Sequence, residues 1–364
     1  MRFDNPITDH GFELPDVADY VDVRQEQRLI DTDCTSHIND LRLFFQRGDF
    51  AMFQKGLDTL IKHTQKEMPL DENEMTYIAK WKKRTVQLFN DFRWFEAKLK
   101  NKKHNAEKIA DSHWHQDLYE NGFAPGTYPN VAPIRKMLAS EIKKLLESPD
   151  SVPKIGSYDR AVPKLDKNYP EVINELNKQF EELGILDAVK KYLKLVGNPL
   201  VTKATLHVSK PTDKHLFQMF QDCKTAPVTT NLHIDPKEGL VKALLYLDSV
   251  EDHNGPIWFV KRSHRWKQPD LETLLARGIS TGCYFENPTA RRSVFRLPKE
   301  LRKSFQFGTC LEDGSAQQKL LLDNAVRITN EYGNIVLFDA GNVMHTGGWV
   351  KEGHRINLQI QIRI

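Results

Sequence analysis

The sequence predicts an α+β fold, and three observations predict it. Apolar residues recur every three to four positions through the first third, β-branched and alternating segments gather after Pro199, and helices come first and strands later. Helices first and strands later exclude a series of β-α-β units. The 364 residues are 40% hydrophobic and 10% aromatic, which supplies a sizeable core and excludes disorder as the dominant state. Length alone suggests about two domains.

Between residues 38 and 66, Leu41, Phe44, Phe45, Phe50, Phe53, Leu57 and Ile61 trace a helical stripe. A second helical run, residues 72–108, carries Met75, Ile78, Trp81, Leu88 and Phe89, with Asp71 as its N-cap and Glu74 three residues on. Prolines 133, 149, 153, 163 and 170 punctuate shorter helices, including residues 134–147 and 170–195. Strands are expected at residues 201–209, 241–247, 257–260, 335–338 and 355–364. The last strand puts Arg355, Asn357, Gln359, Gln361 and Arg363 on one face and Ile356, Leu358, Ile360, Ile362 and Ile364 on the other. Its polar face either meets water or lines a barrel interior while helices cover the apolar face; alternation alone admits both.

Charge and cysteine usage narrow the class. A net charge of +3 gives no reason to expect a nucleic-acid partner. No run of 18 apolar residues suggests a membrane span, and the amino terminus lacks the apolar core of a signal peptide. Cys34, Cys223, Cys283 and Cys310 are scattered with no CxxC pair, which suits a reducing compartment and a cytoplasmic location. Nothing in the sequence fixes an oligomeric state.

The chemistry gathers around Asn231-Leu-His233-Ile-Asp235. In an extended chain, residues two apart share a face, so His233 and Asp235 can converge on one ion. A third ligand, His345, is offered by the Gly-rich turn 341–348 after strand 335–338. Two imidazoles and one carboxylate form the facial set that suits non-haem Fe(II) and leaves positions open for other ligands. By itself an HxD pair also arises by chance among 13 histidines. Arg355, ten residues after His345, can hold a dicarboxylate tail by a bidentate ion pair while its other end chelates the metal; taken alone it also reads as a strand-end arginine in solvent. Thr229 and Asn231 share the face of His233, and Gln359 and Asn357 that of Arg355, which makes them candidate co-substrate contacts.

Together these motifs resemble the phytanoyl-CoA dioxygenase-like 2-oxoglutarate oxygenases. The likeness rests on His233-Ile-Asp235, on His345 after Gly333-Asn-Ile-Val-Leu-Phe-Asp339, and on the trailing Arg355. It extends to Ala243-Leu-Leu-Tyr-Leu-Asp248, Gly255-Pro256, Ser263-His264 and Leu118-Tyr-Glu-Asn-Gly-Phe123, covering roughly residues 118–364. Arg262 stands where that family usually has a glycine before Ser-His. The resemblance implies a double-stranded β-helix (a jelly-roll, cupin-like core flanked by helices) that binds Fe(II) through His233, Asp235 and His345 and 2-oxoglutarate through the metal and Arg355. With O2 such an enzyme yields succinate, carbon dioxide and an oxidant that usually hydroxylates a small or medium-sized molecule. Asp235 occupies the position that halogenases leave to Ala or Gly, so halogenation is not expected.

Residues 1–110 then read as a helical extension and 111–364 as the oxygenase domain, with 266–330 as an insertion over its mouth. Arg291, Arg292, Arg296 and Arg302 in that insertion would suit an anionic substrate or simply be solvated. His113 and His115 fall on opposite faces of an expected helix, so a second metal there is not expected. Cys34 and His37 lack visible zinc partners. Lys242 can reach a carboxylate, although a solvent-facing lysine is the commoner reading. Two rivals remain: a jelly-roll binding protein without catalysis, and a cupin-like metal hydrolase, in neither of which Arg355 is needed.

Overall fold

The computed structural model describes residues 33–67, 69, 71–100, 112–147, 160–162, 164–211, 241–265, 271, 274–275, 316–348 and 350–363. Three helices open the described chain: α1 (Thr35–Arg47), α2 (Phe50–Glu67) and α3 (Glu72–Lys100). The apolar stretch 38–66 divides at Gly48, whose left-handed backbone (φ 69°) closes α1 with its N–H on the Phe44 and Phe45 carbonyls. Asp49 Oδ1 then accepts the Met52 N–H at 3.0 Å and starts α2. Met75 N–H bonds the Asp71 carbonyl at 2.9 Å, so Asp71 holds the expected N-cap position. Ile38, Leu41, Phe53, Leu57, Trp81 and Phe89 form the core of these helices, and Leu271, Leu274 and Leu275 complete it.

The chain continues through α4 (His113–Asn121), β1 (Phe123–Gly126), α5 (Ala132–Met137), α6 (Ala139–Glu147), β2 (Arg160–Val162), α7 (Leu165–Asn168), α8 (Pro170–Glu182), α9 (Ile185–Tyr192) and β3 (Leu200–Ser209). The stretch 170–195, expected as one helix, is two, because Gly184 takes a left-handed conformation (φ 70°) between them. The remaining elements are β4 (Val241–Tyr246), β5 (Trp258–Val260), α10 (Ala316–Asp323), β6 (Ala325–Arg327), β7 (Ile335–Asp339), β8 (His345–Thr346) and β9 (Arg355–Arg363).

Among the described residues the strands form two antiparallel sheets, ordered β1-β7-β4-β9-β3-β2 and β6-β5-β8. β6 lies inside the stretch read as an insertion, yet it pairs with β5 as part of the smaller sheet. With three residues it shows no readable alternation. β1 escaped the sequence reading because Pro125 and Gly126 disguise it; it is an edge strand, where a proline is tolerated.

The two faces of the larger sheet have different neighbours, which resolves the alternation of β9. Ile356, Leu358, Ile360 and Ile362 pack with Leu206, Ala243, Leu245 and Leu337 against Trp114, Leu176, Phe180 and Val189 of the helices. Burying each such aliphatic side chain stabilises the fold by roughly 1.5–3 kcal/mol. On the opposite face Phe123, Leu244, Tyr246, Val336 and Phe338 meet Phe259 and Val326 of the smaller sheet. The polar face of β9 therefore points between the sheets and not into open water. No helix among the described residues is long and apolar enough to cross a membrane.

Candidate active site

The turn from β7 to β8 is built on Asp339. Its carbonyl accepts the N–H groups of Asn342 (3.0 Å) and Val343 (2.8 Å). Its carboxylate accepts from the Tyr192 hydroxyl at 2.7 Å and from Asn342 Nδ2. The turn delivers His345 into the short strand β8, opposite Phe259. The imidazole is buried (4% exposed) and lies 4.9 Å from the Phe338 ring and 6.0 Å from that of Phe259, centroid to centroid. Its Nδ1 stands 3.0 Å from the Val343 carbonyl oxygen. A carbonyl can only accept, so Nδ1 carries the hydrogen, and in the neutral form of the ring the lone pair is at Nε2. That is the tautomer of a metal-binding histidine whose other nitrogen is fixed by a backbone carbonyl.

Arg355 opens β9 and is equally buried (6% exposed). Its Nη1 donates to the Gly348 carbonyl at 3.1 Å and its Nη2 to the Ser209 hydroxyl at 3.0 Å. Ser209 is its direct cross-strand partner on β3. The loop carrying Gly348 is braced by the Asn254-Gly255-Pro256 turn. Lys351 and Glu352 donate their N–H groups to the His253 carbonyl, and Asn254 Nδ2 donates to the Glu352 carbonyl at 3.2 Å. A Cβ on Gly348 would come within 2.2 Å of the Pro256 carbonyl oxygen, so only glycine allows this approach.

Two titratable groups flank Arg355. His354 Nε2 lies 3.3 Å from Asp248 Oδ2, and Asp248 also pairs with Arg135. Burial, reinforced by the charges of Arg135 and Lys210, holds the His354 imidazole below its usual pKa. Tyr246 is fully buried; its hydroxyl donates to the Ile328 carbonyl at 3.1 Å and accepts the Ile257 N–H at 2.9 Å. Burial pushes it up to about 12 against the opposing pull of the Arg355 charge, so it stays a neutral donor.

His345 and Arg355 thus both project between the sheets. Gln359 and Asn357 share the Arg355 face, opposite Thr205 and His207 of β3. Thr229, Asn231, His233 and Asp235 lie outside the described residues, as do Arg291, Arg292, Arg296 and Arg302. Among the described residues, no group of three or more His, Cys, Asp or Glu side chains is arranged to hold a metal ion. His113 and His115 sit in α4 on either side of the buried Trp114. Lys242 departs from the expected solvent-facing lysine: it is 8% exposed on the inner face, opposite Gln361 and Phe338. Ser209 was missed in the sequence reading, because its link to Arg355 exists only through cross-strand register. The Ser-His element is an anchor, with His264 Nε2 donating to the Tyr119 carbonyl at 3.0 Å.

The family model of phytanoyl-CoA dioxygenase (PhyH) matches residues 188–351, which bears out the resemblance read from the motifs. The match contains His233, Asp235 and His345 and stops four residues before Arg355. No curated protein matches the chain. Among solved structures, the chain is similar to SnoN, a non-haem α-ketoglutarate-dependent epimerase from nogalamycin biosynthesis, at 14% identity and a TM-score of 0.42, over 68% of this chain and 81% of SnoN. EctD from S. alaskensis with bound Fe aligns at 11% identity and 0.41, over 72% and 80%. HygX from Streptomyces hygroscopicus, with nickel and 2-oxoglutarate bound, aligns at 14% identity and 0.39, over 70% and 87%.

Proposed function

We propose that this protein is an Fe(II)- and 2-oxoglutarate-dependent dioxygenase that hydroxylates a small or medium-sized organic molecule. The observation that carries the reading is that His345, its imidazole turned to offer Nε2, and Arg355, a buried guanidinium, project into one space between two facing sheets. The PhyH match over residues 188–351 supports the same class.

The residues fit the group. His345, His233 and Asp235 would hold Fe(II), two neutral imidazoles and a carboxylate being the donor set that binds this ion and leaves three positions open. When bound, iron with 2-oxoglutarate and O2 supplies an oxidant that removes hydrogen from the substrate, with release of succinate and carbon dioxide. Arg355 would take the distal carboxylate of 2-oxoglutarate, its guanidinium aimed by Gly348 and Ser209. Thr229, Asn231 and Gln359 are further contacts for the co-substrate. Phe338 and Phe259 wall the His345 side and exclude water from it.

We read the two facing sheets as those of a jelly-roll within an oxygenase domain of residues 111–364. Residues 1–110 are a helical extension, and 266–330, apart from β6, an insertion. The enzyme works in the cytoplasm on a small-molecule substrate, a reading that the scattered cysteines and near-neutral charge support.

Anaerobic addition of Fe(II) and 2-oxoglutarate should produce a visible metal-to-ligand charge-transfer band. His233→Ala and His345→Ala should each abolish it, and Arg355→Ala should weaken 2-oxoglutarate binding. Iron-loaded protein that gives no band would sink this reading and favour the binding-protein or hydrolase rivals.

A further inference from the structure

A strand of two residues has little to hold its register. β8 is such a strand: His345 faces Phe259 and Thr346 faces Trp258. A slip of one residue would turn the His345 ring to the outer face of the sheet. Ser263 lies where the pairing would otherwise fail. Its buried hydroxyl (7% exposed) donates to the Val260 carbonyl at 2.8 Å and accepts the Met344 N–H at 2.8 Å. Val260 N–H in turn donates to the Met344 carbonyl at 2.9 Å. Both backbone groups of the residue before His345 are therefore tied to the end of β5 and the turn that follows it. One step back, Val343 is fixed by its N–H on Asp339 and gives its carbonyl to His345 Nδ1.

The turn that aims the Ser263 hydroxyl is itself held under strain. Arg262, just before it, takes a left-handed backbone (φ 62°), a conformation that costs a non-glycine residue about 1–2 kcal/mol. Its N–H bonds the Asn121 carbonyl at 3.0 Å, and His264, just after Ser263, bonds Tyr119, so the turn is clamped to α4 from both sides.

We infer that Ser263 is a positioning residue for His345, fixing through the Met344 backbone the imidazole on which the proposed iron site depends. The inference rests on the functional reading above. Ser263 touches neither iron nor substrate; its hydroxyl stands in for one more rung of the ladder and keeps Nε2 aimed between the sheets.

Anaerobic calorimetric titration with Fe(II) alone tests this. Ser263→Ala leaves the Met344 N–H without its acceptor, and the Fe(II) Kd should rise about 10–100-fold, as when a group supporting a metal ligand is removed. Ser263→Thr, which keeps the hydroxyl, should return Kd to within about threefold of wild type. Trp114→Phe, which removes a buried N–H bond to the Leu183 carbonyl on the helical side, should lower Tm without moving Kd. An unchanged Kd in Ser263→Ala, or an equal rise in Trp114→Phe, would overturn the inference and leave the functional reading standing. Should the alanine variant fail to fold, Ser263→Cys gives the same reading through an intermediate Kd, and a wild-type Kd there overturns it. Wild-type protein that binds no Fe(II) removes the functional reading, and the inference with it.

Discussion

A guanidinium that meets its neighbours through two nitrogens cannot be replaced by an ammonium of the same charge. Arg355 spans Gly348 and Ser209 with separate nitrogens, whereas a lysine at this position offers one flexible point charge. A hydrogen bond to a charged group is worth about 1.5–3 kcal/mol, so Arg355→Lys should raise the 2-oxoglutarate Kd by roughly 10–100-fold, read by titrating the charge-transfer band. A change below threefold would show that charge alone suffices. Its neighbour His354 makes a prediction about pH. The unfolded imidazole titrates near 6.5, and the folded one lower. Between those two values the unfolded chain holds the proton and the folded chain does not, so stability rises with pH. The His354 contribution is complete above pH 6.5 and is lost as pH falls through that interval. Wild type should therefore lose Tm relative to His354→Gln between pH 7 and pH 5 and run parallel to it above pH 7. Parallel curves throughout would remove His354 as the source.

At the scale of the element, the strained turn before Ser263 is the place where this chain departs from the glycine usual in the family it resembles. Arg262→Gly relieves the left-handed backbone but adds freedom to the unfolded chain, and the two effects nearly offset, leaving stability unchanged or raised by up to about 1 kcal/mol. Arg262→Val, β-branched and ill-suited to positive φ, should lower it by more than about 1 kcal/mol. Urea denaturation of both variants separates backbone strain from side-chain contacts, since equal losses would implicate the arginine side chain. Elements of this kind mark where the sequence could be read. β9 was legible because nine residues of strict alternation carry a period, and α3 because Asp71 caps a long apolar stripe. β6 and β8 have three and two residues, too few for any period, and exist because β5 pairs with them. His345 and Arg355 were legible through motif spacing. Ser209 and the buried side of Lys242 were not, because cross-strand register is a tertiary fact that composition does not carry.

Across the whole molecule, the described apolar residues gather on the helix side of the larger sheet, between the sheets, and within α1 to α3. The last of these is closed by residues far along the chain: Leu275 is fully buried there, and Trp81 Nε1 donates to its carbonyl at 3.1 Å. Helices α1 to α3 therefore draw part of their stability from the stretch that follows Ser263. Leu275→Ala should cost about 2–5 kcal/mol, the range for emptying a buried leucine site. If α1 to α3 and the sheets with their covering helices are separate cooperative units, the loss stays local. Hydrogen exchange should then quicken for amides of residues 38–61 and leave β4, β7 and β9 protected. Leu358→Ala, in the core between the larger sheet and its helices, should do the reverse. Uniform loss of protection in both variants would mean that the chain unfolds as one unit, and the division at residue 110 would have to be abandoned.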